Sequence, residues 1–455
     1  MKQLFSLLCL ISFVIATDLT IKSDGTGADG NGISIQNSAD TELMIIEGDG
    51  DASIDGTTLH IDATNNKVGL GTASPTTQLH VTGTEGLLVQ GTYDSGTALN
   101  LGAGTRMHFY PKRAAFMVGY VSDTRWNDTS VGLYSFAAGY NCKAGDYSVA
   151  MGDNADATGV RAVALGDGTK ANSESCVALG ASSTASAFNS IAIGNGATAS
   201  GEYSMAMGYN TTASGDYATV MGGNNTQATG TYATAMGETT TASGAWSTTM
   251  GWSTTAKSGF ETAIGVWNTD YTPTETGGYN SADRLFVVGN GESSVSRSDA
   301  LLILKNGNAT LAGTLTQNSD RRLKERIRPI DSALEKVLKL EGKYYYWNEM
   351  KPHDTENEQI GLVAQDVAEV FPQLVTSDQT ADAYLSVNYQ GFVPVLINAI
   401  QEQQDQIDEL KVQNEMLLRL LADNNHPEAK PGFFKRLFAR FSPTKTSPNL
   451  TLVTP

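Results

Sequence analysis

Between Ser135 and Gly265 small and apolar residues alternate in one five-residue phrase written ten times: a small residue, any residue, usually Ala, an apolar residue, then Gly. The phrases close on Gly139, Gly152, Gly166, Gly180, Gly194, Gly208, Gly222, Gly237, Gly251 and Gly265, fourteen residues apart except for one step of thirteen and one of fifteen. Within SIAIG (residues 190–194) or SMAMG (residues 204–208) the period is two, as a strand requires. Ile, Val, Met or Leu fall on one face and Ser or Ala on the other. A second glycine follows about seven residues later, at Gly201, Gly215, Gly230 and Gly244, and marks the turn into the next strand. Two short strands per repeat predict a parallel β-roll over residues 131–268. Each coil is unable to bury its apolar face alone and stacks on its neighbours. Such a stack is a shaft rather than an enzyme pocket.

The flanks carry a different rhythm. Residues 17–130 read as short strands between Gly, Asp and Asn turns, at 19–21, 33–35, 43–46, 59–61, 68–70 and 78–81. After the repeats, a connector over residues 269–318 holds RLFVVGNG (residues 284–291) and ALLILKNGNATLAGTL (residues 300–315), with Asn306-Gly307 as a hairpin turn. At Ser319 the composition changes abruptly: charges become dense, helix formers appear and Gly becomes rare. A domain boundary is expected there. Fold class follows as mainly β, closed by a small α+β domain.

Composition sharpens this picture. Of 455 residues only 17% are charged, 47 are Gly, and the net charge is −18. Such polarity would suggest disorder, but the fixed period argues for repetitive β-structure. The acidic balance disfavours nucleic acid as a partner and suits a solvated extracellular fibre. Residues 1–16 read as a signal peptide: Lys2 is the positive end, residues 4–15 are apolar, and Val14-Ile15-Ala16 has the small-residue cleavage pattern. The mature chain then begins near Thr17, secreted or at the cell surface. Cys9 leaves with the signal. Cys142 and Cys176 lie two to three coils apart, roughly 10 Å at strand spacing. A disulfide needs Cα atoms within about 7 Å, so both are expected as buried thiols.

The residues between 131 and 268 resemble the head domain of trimeric autotransporter adhesins, whose repeats share this phrase and length. That resemblance implies architecture and a homotrimer, while targets of such heads vary with surface residues. NNKVGLGTASPTTQLHVTG (residues 65–83) is similar to segments common in tail fibres and other secreted fibres. The Asp-Gly clusters at residues 24–29 and 49–51 offer carboxylates to calcium, but turn chemistry accounts for them without a complete ligand loop.

Beyond Ser319, NSDRRLKERIRPIDSALEKVLKLEG (residues 318–342) opens a domain in which Asp331 or Ser332 can cap a helix with an apolar face of Leu334, Val337 and Leu338. YYYWNE (residues 344–349), QIGLVAQDVAEVFPQLV (residues 359–375) and SVNYQGFVPVLINAIQEQQ (residues 386–404) follow. In this order the motifs closely resemble the C-terminal intramolecular chaperone and autoprocessing domain of phage endosialidases and tail spikes, found also in a membrane-bound transcription factor family of animals. The match runs over residues 319–425. It implies self-cleavage at Asn318–Ser319, with Ser319 as nucleophile, Lys324 as base and Asp320 as a possible supporting residue. On spacing alone, Ser319 and Lys324 read as a capped helix start with solvated basic residues. The chemistry agrees with the resemblance: a serine hydroxyl needs a nearby base, and a lysine serves where burial or neighbouring cations such as Arg321, Arg322 and Arg326 favour its neutral form. Attack on the preceding carbonyl suggests an acyl shift to an ester that is later hydrolysed, with attack by the serine of a neighbouring chain as the alternative.

From residue 393 to 421 an a/d heptad pattern runs Val393, Leu396, Ile400, Gln403, Ile407, Leu410, Asn414, Leu417, Leu421, predicting a trimeric coiled coil. Gln403 and Asn414 are polar core positions that fix register. The basic tail, residues 426–455, sets Phe433, Phe434, Leu437, Phe438 and Phe441 beside Lys435, Arg436 and Arg440. It reads as disordered or packed on the chaperone rather than laid on a membrane. No GxxxxGK[ST], HExxH or CxxC occurs, and His60, His80, His108, His353 and His426 are scattered, so no cofactor and no metal is expected. The leading reading is a trimeric fibre whose C-terminal domain assembles it and cuts itself off. The alternatives are an uncleaved adhesin with a permanent trimerisation cap, and an extracellular glycan-cleaving spike, against which no domain with clustered carboxylates stands out. Any cell-surface or glycan target is left open.

Overall fold

The computed structural model describes residues 19–22, 33–37, 42–46, 51–54, 58–84, 86–348, 357–377 and 383–423. The predicted signal peptide, the 24–29 cluster and the basic tail lie outside them. The chain divides into two units, Met1–Asn195 and Gly196–Pro455, taken here in turn. The first opens with the expected short strands and one more that the pattern did not single out, Ala52–Ile54. Leu19–Lys22, Ile33–Asn37, Glu42–Ile46, Ala52–Ile54, Leu59–Asp62 and Lys67–Leu70 pair antiparallel in sequence order, and Leu79–Val81 joins parallel to Lys67–Leu70.

The repeats then form a parallel β-roll with two strands per coil, for example Val163–Asp167 and Lys170–Ala171. Register is strict: Val163 pairs with Val177, Ala164 with Ala178 and Gly166 with Gly180. In the first unit the inward Ala and the closing Gly therefore stack on their counterparts from coil to coil. Tertiary structure decides which face turns inward, and it is the small one. Ala150, Ala164, Ala178 and Ala192 from the long strands and Ala157, Ala171 and Ala185 from the short ones are fully buried. Val163, Leu165, Val177 and Leu179 stay half-buried on the outside. The narrow coil interior is lined mainly by small side chains, with Val220 of the second unit buried in the same row, and most of the bulk lies outside. Gly166 shows why the phrase ends on glycine: its φ is +130°, and an added Cβ would meet the Gly180 carbonyl oxygen at 1.7 Å. Cys142 and Cys176 are buried and free, as the spacing predicts, and burial pushes both thiols up in pKa.

In the second unit the same coils continue from Met205–Gly208 to Thr262–Val266, and Arg284–Asn290 adds in parallel. Asp299–Leu304 and Ala309–Leu311 then pair antiparallel, with Asn306-Gly307 at the hairpin and Gly307 at φ +89°. The last coil ends in a polar plug. Glu261 replaces the small residue of the phrase and is fully buried; one of its oxygens accepts from the Lys257 and Ser258 amides and the Tyr271 hydroxyl.

Among the described residues three α-helices follow Ser319: α1 Ala333–Val337, α2 Ala364–Val370 and α3 Phe392–Asp423. Two hairpins complete the domain, Lys343–Tyr345 with Gln359–Gly361 and Val375–Ser377 with Leu385–Val387. Ala333, Val367, Phe371, Phe392, Val395 and Ala399 form its buried core, with Leu334 and Val337 packed against it. Two expectations need correction here. Leu338 is exposed and takes no part in the apolar face, although its backbone is still helical and its amide bonds the Leu334 carbonyl. Ser332 stands at the N-cap without a side-chain bond; the cap comes instead from Glu402 of α3, whose carboxylate accepts from the Ala333 and Leu334 amides at 2.9 and 2.8 Å. Local caps were weighed from neighbouring residues, whereas the fold brings an acceptor from 69 positions away.

Helix α3 has two apolar faces with different fates. Phe392, Val395 and Ala399 face the domain's own core. The heptad residues Val393, Leu396, Ile400, Ile407, Leu410 and Leu421 lie exposed along the single chain.

Candidate functional site

Extended chain leads from the last hairpin into Ser319. Asp320, at φ −60° and ψ 134°, caps a short 3-10 turn over Arg321–Leu323, its side chain accepting from the Arg322 amide at 2.8 Å. The turn folds the chain back on itself, and Lys324 ends it with its amide bonded to the Arg321 carbonyl. The consequence is specific to the i, i+5 pair: Lys324 Nζ donates to Ser319 Oγ at 2.6 Å.

Asp320 has a structural part in this arrangement. Besides the cap, its carboxylate receives Arg322 Nη2 at 2.6 Å, and this pairing holds it below the usual carboxylate range. Arg322 is thereby engaged with a carboxylate rather than aimed at Lys324. Ser319 and Lys324 are both exposed. On the other side of the Asn318–Ser319 bond, Gln317 Nε2 donates to Gln390 Oε1 at 2.6 Å. Gln390 belongs to the short turn Tyr389–Gly391 that opens α3, where Asn388 caps by accepting from the Gly391 amide and the Tyr389 hydroxyl accepts from the Leu362 amide. The bond between residues 318 and 319 is thus flanked by an amine–hydroxyl pair and by a tether to the long helix. Glu402 and Gln390 were not singled out from sequence, since their roles depend on partners about seventy residues distant.

An amine within hydrogen-bond reach of a hydroxyl, next to a peptide carbonyl, can remove the hydroxyl proton as the oxygen attacks. No group of three or more His, Cys, Asp or Glu side chains among the described residues is placed to hold a metal.

Comparison with known proteins places these features in two blocks. Residues 319–376 match the family described as chaperone of endosialidase, so the match begins on Ser319. Residues 144–169, 171–197, 199–225 and 228–254 match the YadA head domain repeat. Among curated relatives, the long tail fibre protein Gp37 of Enterobacteria phage K3 is 31% identical over 142 residues, covering 30% of this chain and 11% of the relative. Gp37 of Enterobacteria phage T2 is 34% identical over 95 residues, covering 20% of this chain and 7% of the relative. The chain spans about a tenth of the length of these relatives. It is thus similar to phage long tail fibres over a part of its length, and it joins YadA-type head repeats to an endosialidase-type chaperone segment that starts at Ser319.

Proposed function

We propose that the chain is a secreted, trimeric, adhesin-like fibre. In this reading the domain over residues 319–425 is an intramolecular trimerisation chaperone that cuts itself free at Asn318–Ser319. The observation that carries the reading is the 2.6 Å hydrogen bond from Lys324 to Ser319 at the first residue of the chaperone match. The neutral amine of Lys324 takes the hydroxyl proton while Ser319 Oγ attacks the carbonyl carbon of Asn318. The C–N bond then breaks, its nitrogen gains a proton as the amino group of Ser319, and an ester joins Asn318 to Ser319 Oγ. Water hydrolyses that ester, leaving a carboxylate on Asn318 and restoring the hydroxyl. Both side chains are open to solvent in the single chain, so neighbouring chains would supply the covering that favours a neutral amine.

Trimer formation draws support from exposed apolar surface. Among the described residues the heptad face of α3 is exposed, and the outward Val and Leu rows of the β-roll are only half-buried. Stacked repeats slip easily in register, and a coiled coil at one end would align three chains before the roll zips. Removing that clamp afterwards would leave a product that cannot easily unfold and refold, which is kinetic stability.

Expression of the full gene tests this directly. Wild-type protein should run as two pieces on a denaturing gel, the smaller beginning with Ser319. Ser319→Ala and Lys324→Ala should stay uncut, and Lys324→Arg as well, because guanidinium does not give up its proton. Uncut wild type would instead assign the domain as a permanent cap. Cleavage persisting in Ser319→Ala would mean an external protease and remove the dyad.

A further inference from the structure

The corner before each long strand is left-handed, and in the second unit aromatic residues fill it. Tyr203, Tyr217, Tyr232, Trp246 and Phe260 have φ of 57, 59, 60, 55 and 64°. A bulky side chain in this conformation is a backbone outlier, whereas Asn tolerates it. The fold accepts Asn at the same corner, where Asn189 has φ 54°. The five rings stack in one column with centroids 5.0, 4.6, 5.6 and 5.0 Å apart and planes within 8° of parallel. Stacking offsets part of the strain. Each ring nevertheless remains 41–46% exposed, so the column presents a continuous aromatic edge along the repeat. Strain retained at exposed positions, where a relaxed residue would serve, points to use rather than stability.

The surroundings narrow the occupant. Between residues 201 and 256 there is no Lys, Arg or His, Lys257 at the far end of the column is paired with Asp270, and Glu202 and Asp216 directly precede two of the rings. With a net charge of −18, this surface repels acidic polysaccharides, nucleic acid and anionic membranes. The phenol hydroxyls of Tyr203, Tyr217 and Tyr232 lie along the column. Three residues before them stand Ser200, Ser214 and Thr229, all exposed. Aromatic carbon interleaved with uncharged hydroxyls suits the C–H and hydroxyl surface of a sugar, and five equivalent rungs suit a chain of repeating units. We propose that the column from Tyr203 to Phe260 is a binding strip for a neutral polysaccharide lying along the repeat. This goes beyond the assembly and cleavage proposed above and does not depend on them.

Native electrophoresis of the full chain through gels containing dextran, laminarin or hydroxyethylcellulose, with alginate as the acidic control, tests the strip. Wild-type protein should be retarded in at least one neutral gel and not in alginate. Tyr217→Asn/Tyr232→Asn/Trp246→Asn should weaken that retention at least about tenfold, with an unchanged oligomeric state by light scattering. Should the triple change impair folding, Trp246→Asn alone, titrated in the same gels, must weaken retention in the same direction. Retardation by none of the neutral gels, retardation by alginate alone, or equal retention of wild type and variants overturns the proposal. A changed oligomeric state would overturn it too, since the strip would then be a contact between copies of the chain.

Discussion

Ala164 and Ala178 of the repeat have no exposed surface, and their coils are bonded strand to strand in unbroken register. Leu323, Leu338, Tyr344 and Ile360 of the domain after Ser319 are between 71 and 74% exposed. The two regions handle burial in opposite ways. Each coil closes a narrow interior with Ala, Ser and Thr and relies on backbone pairing. The terminal domain buries six core residues and leaves large apolar side chains in solvent. A domain with more sticky surface than core is built to meet partners, and a coil with little hydrophobic yield depends on correct register from the start.

Breaking the exposed face of α3 should have the largest effect. Ile400→Asp together with Leu410→Asp places two charges on the heptad face without touching Phe392, Val395 or Ala399. The expected outcome is loss of the trimer by light scattering, with soluble yield falling to the level of a chain truncated before residue 319. Unchanged trimer in this variant would show that the repeats align themselves. Breaking the repeat instead should cost less for assembly but more locally. Gly166→Val forces a Cβ against the Gly180 carbonyl oxygen at φ +130° and should destabilise the roll by at least about 3 kcal/mol. Gly313→Val has open space and should be neutral. Calorimetry that resolves the two regions checks both.

Two finer tests separate the regions further. Glu402→Ala removes the cap on α1 and should cost the terminal domain about 1–2 kcal/mol, leaving the transition of the repeat in place. Glu261 gives the smallest effect, and it depends on pH. Burial raises its pKa above the ordinary 4.5, so the folded state holds the proton more tightly than the unfolded chain. The stability it contributes is complete below about 4.5 and is lost as pH rises through the folded value. Glu261→Gln should therefore stabilise the end of the roll at neutral pH and have no such effect at about pH 4, read from melting temperatures at both.

Much of this was legible in the chain. The fourteen-residue period announced strict stacking, because a parallel roll puts each repeat directly on the last. Asn306-Gly307 announced its hairpin, since both the sequence and the turn are local. Ser319 and Lys324 were named by resemblance, but their 2.6 Å approach depends on the 3-10 turn that Asp320 caps. The cap from Glu402 could not be read at all, because nothing near residue 333 encodes an acceptor on a helix seventy residues later.

By itself the sequence determined whatever depends on neighbours and period: the strands, the turns, the coil length, the long helix and its heptads. Tertiary structure alone decided which face each element turns inward. An alternating strand has two candidate faces, and the narrow coil took inward the one that carries mostly Ala. Helix α3 likewise carries two apolar stripes, and packing against α1 consumed one and left the heptad face open. Periodicity states that a face exists, while available volume and long-range partners settle what lies against it.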